Sequence, residues 1–125
     1  MISLMRRTAG KSPAAAARIA PHAHATPVLQ SGALDALAGC RLYFKAEPLQ
    51  RTGSFKFRGA YNKISGLSEA ERARGIIAFS SGNHAQGVAA SAALFGARAV
   101  IAMPADAPRA KVGNVLRMGA EVVPF

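Results

Sequence analysis

The strongest constraint lies in residues 76–125, where short apolar runs alternate with helical segments that stop at glycine. Ile76-Ile77-Ala78-Phe79 is followed by a polar glycine loop, then HAQGVAASAALF, Gly96, RAVIAM, Pro104, a helical segment from about Pro108 to Met118, Gly119 and EVVP. Strand, helix, strand, helix, strand is the order expected of parallel βαβ units, whose crossover helices cover the sheet. Helices ending at glycine fit the left-handed C-terminal cap. The fold class expected is therefore α/β, an open, mostly parallel twisted sheet with flanking helices.

The first half is less regular. Ser12-Pro13 before AAAARIA predicts a helix start that fades by Pro21. A loop through His22 and His24 leads to an extended piece at Thr26-Pro27-Val28-Leu29, because the residue before proline avoids helical geometry. SGALDALAG predicts a short helix ending at Gly39, and RLYFKAE an alternating strand with Leu42 and Phe44 on one face. From Ser54, Phe55, Gly59, Asn62 and Ile64 recur at roughly helical spacing, and Ser68-Glu69-Ala70-Glu71 is a capping box closed by Gly75. The last run barely starts before Phe125, so the sheet is expected to need further strands or a partner.

Composition narrows the function classes. The 125 residues are half apolar and 18% charged, which suits one packed domain and argues against disorder. The net charge of +10 favours anionic partners. The bases are scattered singly apart from Arg6-Arg7, so no basic stripe of the kind that follows a nucleic-acid backbone is present and no nucleic-acid partner is expected. The richest apolar stretch, Val88 to Met103, is interrupted by Ser91 and Arg98, so no membrane span is expected. Cys40 is alone and no ligand spacing suggests a metal, which fits a reducing, cytoplasmic setting. The acid-free, Arg-bearing start leaves an organelle transit peptide open.

Two constellations carry chemistry. Ser80-Ser81-Gly82-Asn83-His84 sits between a strand and a helix, where an open parallel sheet binds ligands and a helix N-terminus offers free N–H groups to an anion. Gly82 is expected to supply positive φ or close approach, with Ser80, Ser81 and Asn83 as donors. Ordinary helix capping by the same serines and asparagine is the competing reading. Gly82 and Gly87 have Walker spacing, but Val88-Ala89 follows where Lys-Ser/Thr is required, and no GxGxxG exists. His84 reads as a structural hydrogen-bonder rather than a base.

The second constellation is Gln50 to Ala60, in which Lys56 lies between Phe55 and Phe57. Partial desolvation and the nearby Arg58 cation would make it a nucleophilic amine. The alternative is a snorkelling lysine with its stem against both rings.

Taken in order, TGSFKFRGA, SSGNHAQG, VIAMPADAPRAKV and GAEVV resemble the N-terminal part of the fold-type-II pyridoxal-phosphate enzymes, the serine/threonine dehydratase and serine racemase group. The similarity runs from about Ala17 to Phe125. It implies a tryptophan-synthase-β-like fold, present here only in part, with residues 1–16 as an N-terminal extension, 17–75 in a larger cofactor domain and 76–125 opening a smaller substrate domain. It implies that Lys56 holds pyridoxal 5′-phosphate as a Schiff base, that Phe55 packs beside its ring and that Asn83 contacts the ring hydroxyl. Ser80, Asn83 and His84 fall in the loop that receives the substrate carboxylate. Ser81 matches the acid/base that faces Lys56 across the cofactor in the racemases.

The function implied is dehydration and deamination of threonine or serine to a 2-oxo acid and ammonia, as in amino-acid metabolism. Serine racemisation, hydroxyaspartate ammonia-lyase activity and an inactive remnant are the alternatives. The expected partner is a small amino-acid substrate, in a family whose full-length members are homo-oligomers. The family's phosphate-binding glycine loop and the residue that pairs with the pyridine nitrogen are expected beyond Phe125.

Overall fold

The computed structural model describes residues 12–125. Arg6-Arg7 and most of the expected N-terminal extension, including the start of the transit-peptide reading, lie outside the described residues. α1 (Ser12–Ile19) forms where the Ser-Pro start places it. β1 (Val28–Leu29) pairs antiparallel with β2 (Phe44–Lys45), Val28 opposite Lys45. Between them α2 (Gly32–Ala38) starts where the Ser31 hydroxyl accepts the Leu34 N–H and ends at Gly39 in the left-handed region, φ 66°.

β2 is much shorter than the strand expected over RLYFKAE. Pro48 cannot donate to a sheet ladder, and the chain turns into a single 3₁₀ turn at Glu47–Leu49 instead. The alternation itself is present: Leu42 and Phe44 are half-buried while Tyr43 and Lys45 are exposed.

α3 (Lys56–Ser65) buries Phe57, Ala60, Tyr61 and Ile64. These positions follow the i, i+3, i+4, i+7 rule of one helix face. The face is not the one marked by Phe55, Gly59 and Asn62: Phe55 precedes the helix and Gly59 is exposed. An aromatic seam continues from it, with Tyr61 5.8 Å from Phe57, 4.8 Å from His22 and 5.5 Å from Phe95 between ring centroids. α4 (Glu69–Ala73) opens with the complete Ser68/Glu71 capping box.

The second half forms the expected unit: β3 (Ile76–Phe79), α5 (Asn83–Ala93), β4 (Ala99–Met103), α6 (Arg109–Arg117) and β5 (Glu121–Pro124). The three strands are parallel in the order β3-β4-β5, with Ile76 opposite Ala99 and Ile101 opposite Val122. Gly75, Gly96 and Gly119 all take positive φ before the next strand. Ala99, Ile101 and Met103 point to the face covered by α5 and α6, where they pack with Ala85, Val88, Ala89, Ala92 and Val115.

Among the described residues the opposite face has no helix over it. Ile77 is 81% and Phe79 69% exposed, and the Phe79 and Phe125 rings stack on each other 4.9 Å apart. The flanking helices expected from sequence therefore cover only one side here. α3 forms a further layer on the outside of α5.

Candidate functional site

Further along, side chains of α3 and α5 share the core, but at its start α3 meets α5 through backbone. A Cβ placed on Gly87 would stand 3.0 Å from the carbonyl carbon of Lys56, 3.1 Å from its oxygen and 3.2 Å from the Phe57 nitrogen. Only glycine lets the two helices approach this closely without displacing the start of α3. Asn83 lies four residues before Gly87, hence one turn along the same side of α5. Lys56 is thereby brought to the helix side that carries the serine/asparagine turn.

Lys56 itself is exposed, with Nζ 5.2 Å from the centroid of the Phe55 ring. Phe57 turns the other way and is fully buried, so the lysine stem rests beside one phenylalanine and not two. The two features expected to activate the amine are absent. The side chain is not desolvated, and Arg58 is committed elsewhere. Arg58 Nε donates to Glu47 Oε2 at 2.9 Å and Nη2 to Glu47 Oε1 at 2.7 Å, while Nη2 also reaches the His24 carbonyl at 3.0 Å.

That forked pair is the centre of a polar clamp behind α3. Thr26 Oγ1 donates to Glu47 Oε1 at 2.6 Å, and Lys45 Nζ donates to the Thr26 carbonyl. Gln50 binds both the N–H and the carbonyl of His24 at 2.9 Å. The Arg58 guanidinium, followed by the Thr26 hydroxyl and the Lys45 charge, holds the Glu47 carboxyl below the ordinary glutamate range against the opposing effect of burial. The loop that enters Lys56 is finished locally by Ser54, whose Oγ accepts the Lys56 N–H at 3.4 Å.

At the head of α5 no side chain caps the helix. The capping reading of the serines and Asn83 is thus overturned. Ser80 Oγ accepts the Gly82 N–H at 3.2 Å, before the helix begins, and Ser81, Asn83 and His84 are exposed. Asn83 Oδ1 instead accepts from Lys111 Nζ of α6 at 2.7 Å. Gly82 departs from expectation as well: its φ is −161°, and beyond its own stretch of chain no described residue comes within 4 Å of where a Cβ would stand. The crowded glycine is Gly87, which sequence spacing placed only in a failed Walker pattern. Its signal was a glycine in a helix interior, which costs about 1 kcal/mol relative to alanine and so asks for a packing reason.

Two buried side-chain atoms lack a partner among the described residues, Thr52 Oγ1 and Gln86 Nε2. They belong to the segments on either side of the Lys56–Gly87 contact. Each such atom calls for a partner, and a bound water or ligand would supply one. An accessible amine, an adjacent exposed aromatic ring and an uncapped helix head bearing hydroxyl and amide donors form a donor set that fits an aldehyde carrying anionic oxygens.

Residues 19–125 match the family described as pyridoxal-phosphate dependent enzyme. The chain belongs to this family, whose cofactor is pyridoxal 5′-phosphate. It is 54% identical over 109 residues to the L-threo-3-hydroxyaspartate ammonia-lyase of a Pseudomonas species, covering 87% of this chain and 34% of that protein. Over 100 residues it is 52% identical to the L-threonine ammonia-lyase of Thermotoga maritima, covering 80% of this chain and 25% of that one. The structure of maize serine racemase superposes with a TM-score of 0.85 at 45% identity, over 89% of this chain and 34% of that chain. The chain thus spans about a quarter to a third of the length of these relatives. Lyases and racemases are comparably similar to it, so the family is fixed and the substrate is not. No helix among the described residues is long and apolar enough to cross a membrane.

Proposed function

We propose that this chain is the lysine-bearing portion of a pyridoxal-phosphate enzyme that dehydrates and deaminates threonine or serine to a 2-oxo acid and ammonia. The observation that supports it most is the contact of the Lys56 backbone with Gly87, which joins the start of α3 to the side of α5 that carries Asn83. In this reading residues 17–75 belong to the larger cofactor domain and 76–125 to the smaller substrate domain, with 1–16 as an extension. The setting is cytoplasmic and the assembled enzyme a homo-oligomer.

Pyridoxal phosphate, when bound, supplies the electron sink that makes the α-proton of an amino acid acidic. Lys56 would hold it covalently through Nζ, and the same atom, when free as an amine, would take the α-proton. Phe55 would pack beside the ring, and Asn83 would donate to the ring oxygen. Ser80, Asn83 and His84, with the free N–H groups heading α5, receive the substrate carboxylate. Ser81 faces Lys56 from the opposite side. Departure of the β-hydroxyl would give elimination, whereas a proton supplied by Ser81 to the opposite face of Cα, with the hydroxyl retained, would give racemisation. Serine racemase and hydroxyaspartate ammonia-lyase activities are accordingly the alternatives, with an inactive remnant as the non-enzymatic one.

The test is to add pyridoxal phosphate, reduce with borohydride and map the adduct by mass spectrometry. The adduct is expected on the peptide carrying Lys56, to vanish in Lys56→Ala and to persist in Lys45→Ala, whose amine is tied to the Thr26 carbonyl. Equal labelling of both variants would refute the assignment. Offering L-threonine, L-serine and 3-hydroxyaspartate, and measuring 2-oxo acid against D-isomer, separates the activities.

A further inference from the structure

α6 begins with Arg109 and Lys111 and has no acidic residue in its first turn. Cations at a helix N-terminus oppose the helix dipole, each by about 0.3–1 kcal/mol, so the stability of α6 gives no reason for Lys111 to be there. Its ammonium is directed instead at the head of another helix. Lys111 Nζ donates to Asn83 Oδ1 at 2.7 Å, and α5 likewise has no acid in its first turn and no side-chain cap. Two positive helix ends and an ammonium therefore converge where no carboxylate of either first turn offsets them.

The bond also decides which way the Asn83 amide faces. An ammonium has donors only, so the end of Asn83 that meets it must be Oδ1. The NH₂ end is left facing away. The end of Asn83 turned away from Lys111 then offers two donors.

We propose that Lys111 is a positioning residue: by holding Oδ1 it fixes the Asn83 NH₂ as the end that faces away and donates, and it adds positive charge beside it, so that the site takes an anionic oxygen. The inference rests on the cofactor reading given above for the identity of that oxygen, the ring oxygen or carboxylate of the bound species. It does not depend on that reading for the orientation of Asn83.

The test uses the 125-residue chain and two readouts. Without cofactor, the side-chain amide resonances of Asn83 in a ¹⁵N–¹H spectrum are expected to move in Lys111→Met and to stay near the wild-type positions in Lys111→Arg. With pyridoxal phosphate as the probe, Lys111→Met is expected to bind about tenfold more weakly, the size of one lost charge-assisted hydrogen bond, and Lys111→Arg within about twofold of wild type. Unmoved amide resonances in Lys111→Met overturn the proposal, as does failure of arginine to restore them. Lys56→Ala is run alongside. Covalent labelling that survives in Lys56→Ala defeats the cofactor reading and leaves the Lys111 result standing. If the wild-type chain takes up no cofactor, that reading fails for this chain, and the amide resonances alone decide the role of Lys111.

Discussion

The two sides of the site are held together by different physics. Behind Lys56, β1, β2 and α3 are joined by a polar clamp in which Glu47, Arg58, Thr26, Gln50 and His24 exchange directional bonds. Behind Asn83, α5 is seated on the sheet by small apolar residues, Ala85, Ala89 and Ala92 against Ile101 and Met103, with no charge among them. A clamp of the first kind fixes orientation but answers to pH. Dry packing of the second kind is indifferent to pH but intolerant of changes in volume. The proposed site would draw its amine from the first side and its amide from the second.

The largest expected effect is on the dry side. Ile101 is fully buried at the centre of the sheet, and Ile101→Ala is expected to cost about 2–5 kcal/mol in urea unfolding, with a loss that is the same at every pH where the chain folds. A strongly pH-dependent loss would erase the distinction between the two sides.

Glu47→Gln is expected to cost about 1–2 kcal/mol at neutral pH, since it weakens a forked, partly buried ion pair rather than a solvated one. The folded carboxyl titrates below its unfolded value, so its contribution is complete above the ordinary glutamate range. It is lost as pH falls through the lower folded value. Wild type and variant should therefore converge in acid, and parallel curves of stability against pH would show that the clamp does not depend on the Glu47 charge.

Gly87→Ala probes the boundary. Alanine gains about 1 kcal/mol of helix propensity, but its Cβ meets the Lys56 backbone, which cannot rotate away as a side chain does. A net loss of about 1 kcal/mol is expected, together with slower covalent labelling of Lys56. Unchanged labelling would mean that α3 gives way without moving the amine. The smallest effect is expected at Ser68→Ala, which removes the α4 capping box far from both sides, at about 0.5–1 kcal/mol with no change in labelling.

The same contrast explains what was legible in the sequence. The βαβ half announced itself because dry packing imposes a period: apolar runs, a helix stripe and a glycine at each stop. The clamp did not, because Arg58 and His24 are 34 positions apart and Gln50 and His24 are 26 apart, and hydrogen bonds at such separations leave no periodic trace. Phe55 misled the reading of α3, since it is aromatic and adjacent but precedes the helix; Phe57, Ala60, Tyr61 and Ile64 carried the true phase. Lys56 and the serine/asparagine turn were visible as motifs. Gly87 and Lys111 fall inside quoted motifs too, but their roles were not legible, because those lie in which helix each one touches.

The glycine contact has a mechanical consequence. Most neighbouring helices are separated by side chains that hop between rotamers and blur the spacing. Between the carbonyl of residue 56 and the axis of α5 there is nothing that can hop, so the gap is set by the thickness of the main chain itself. Amine-bearing and amide-bearing elements are in this way calibrated by bond lengths, the least compliant ruler a polypeptide has.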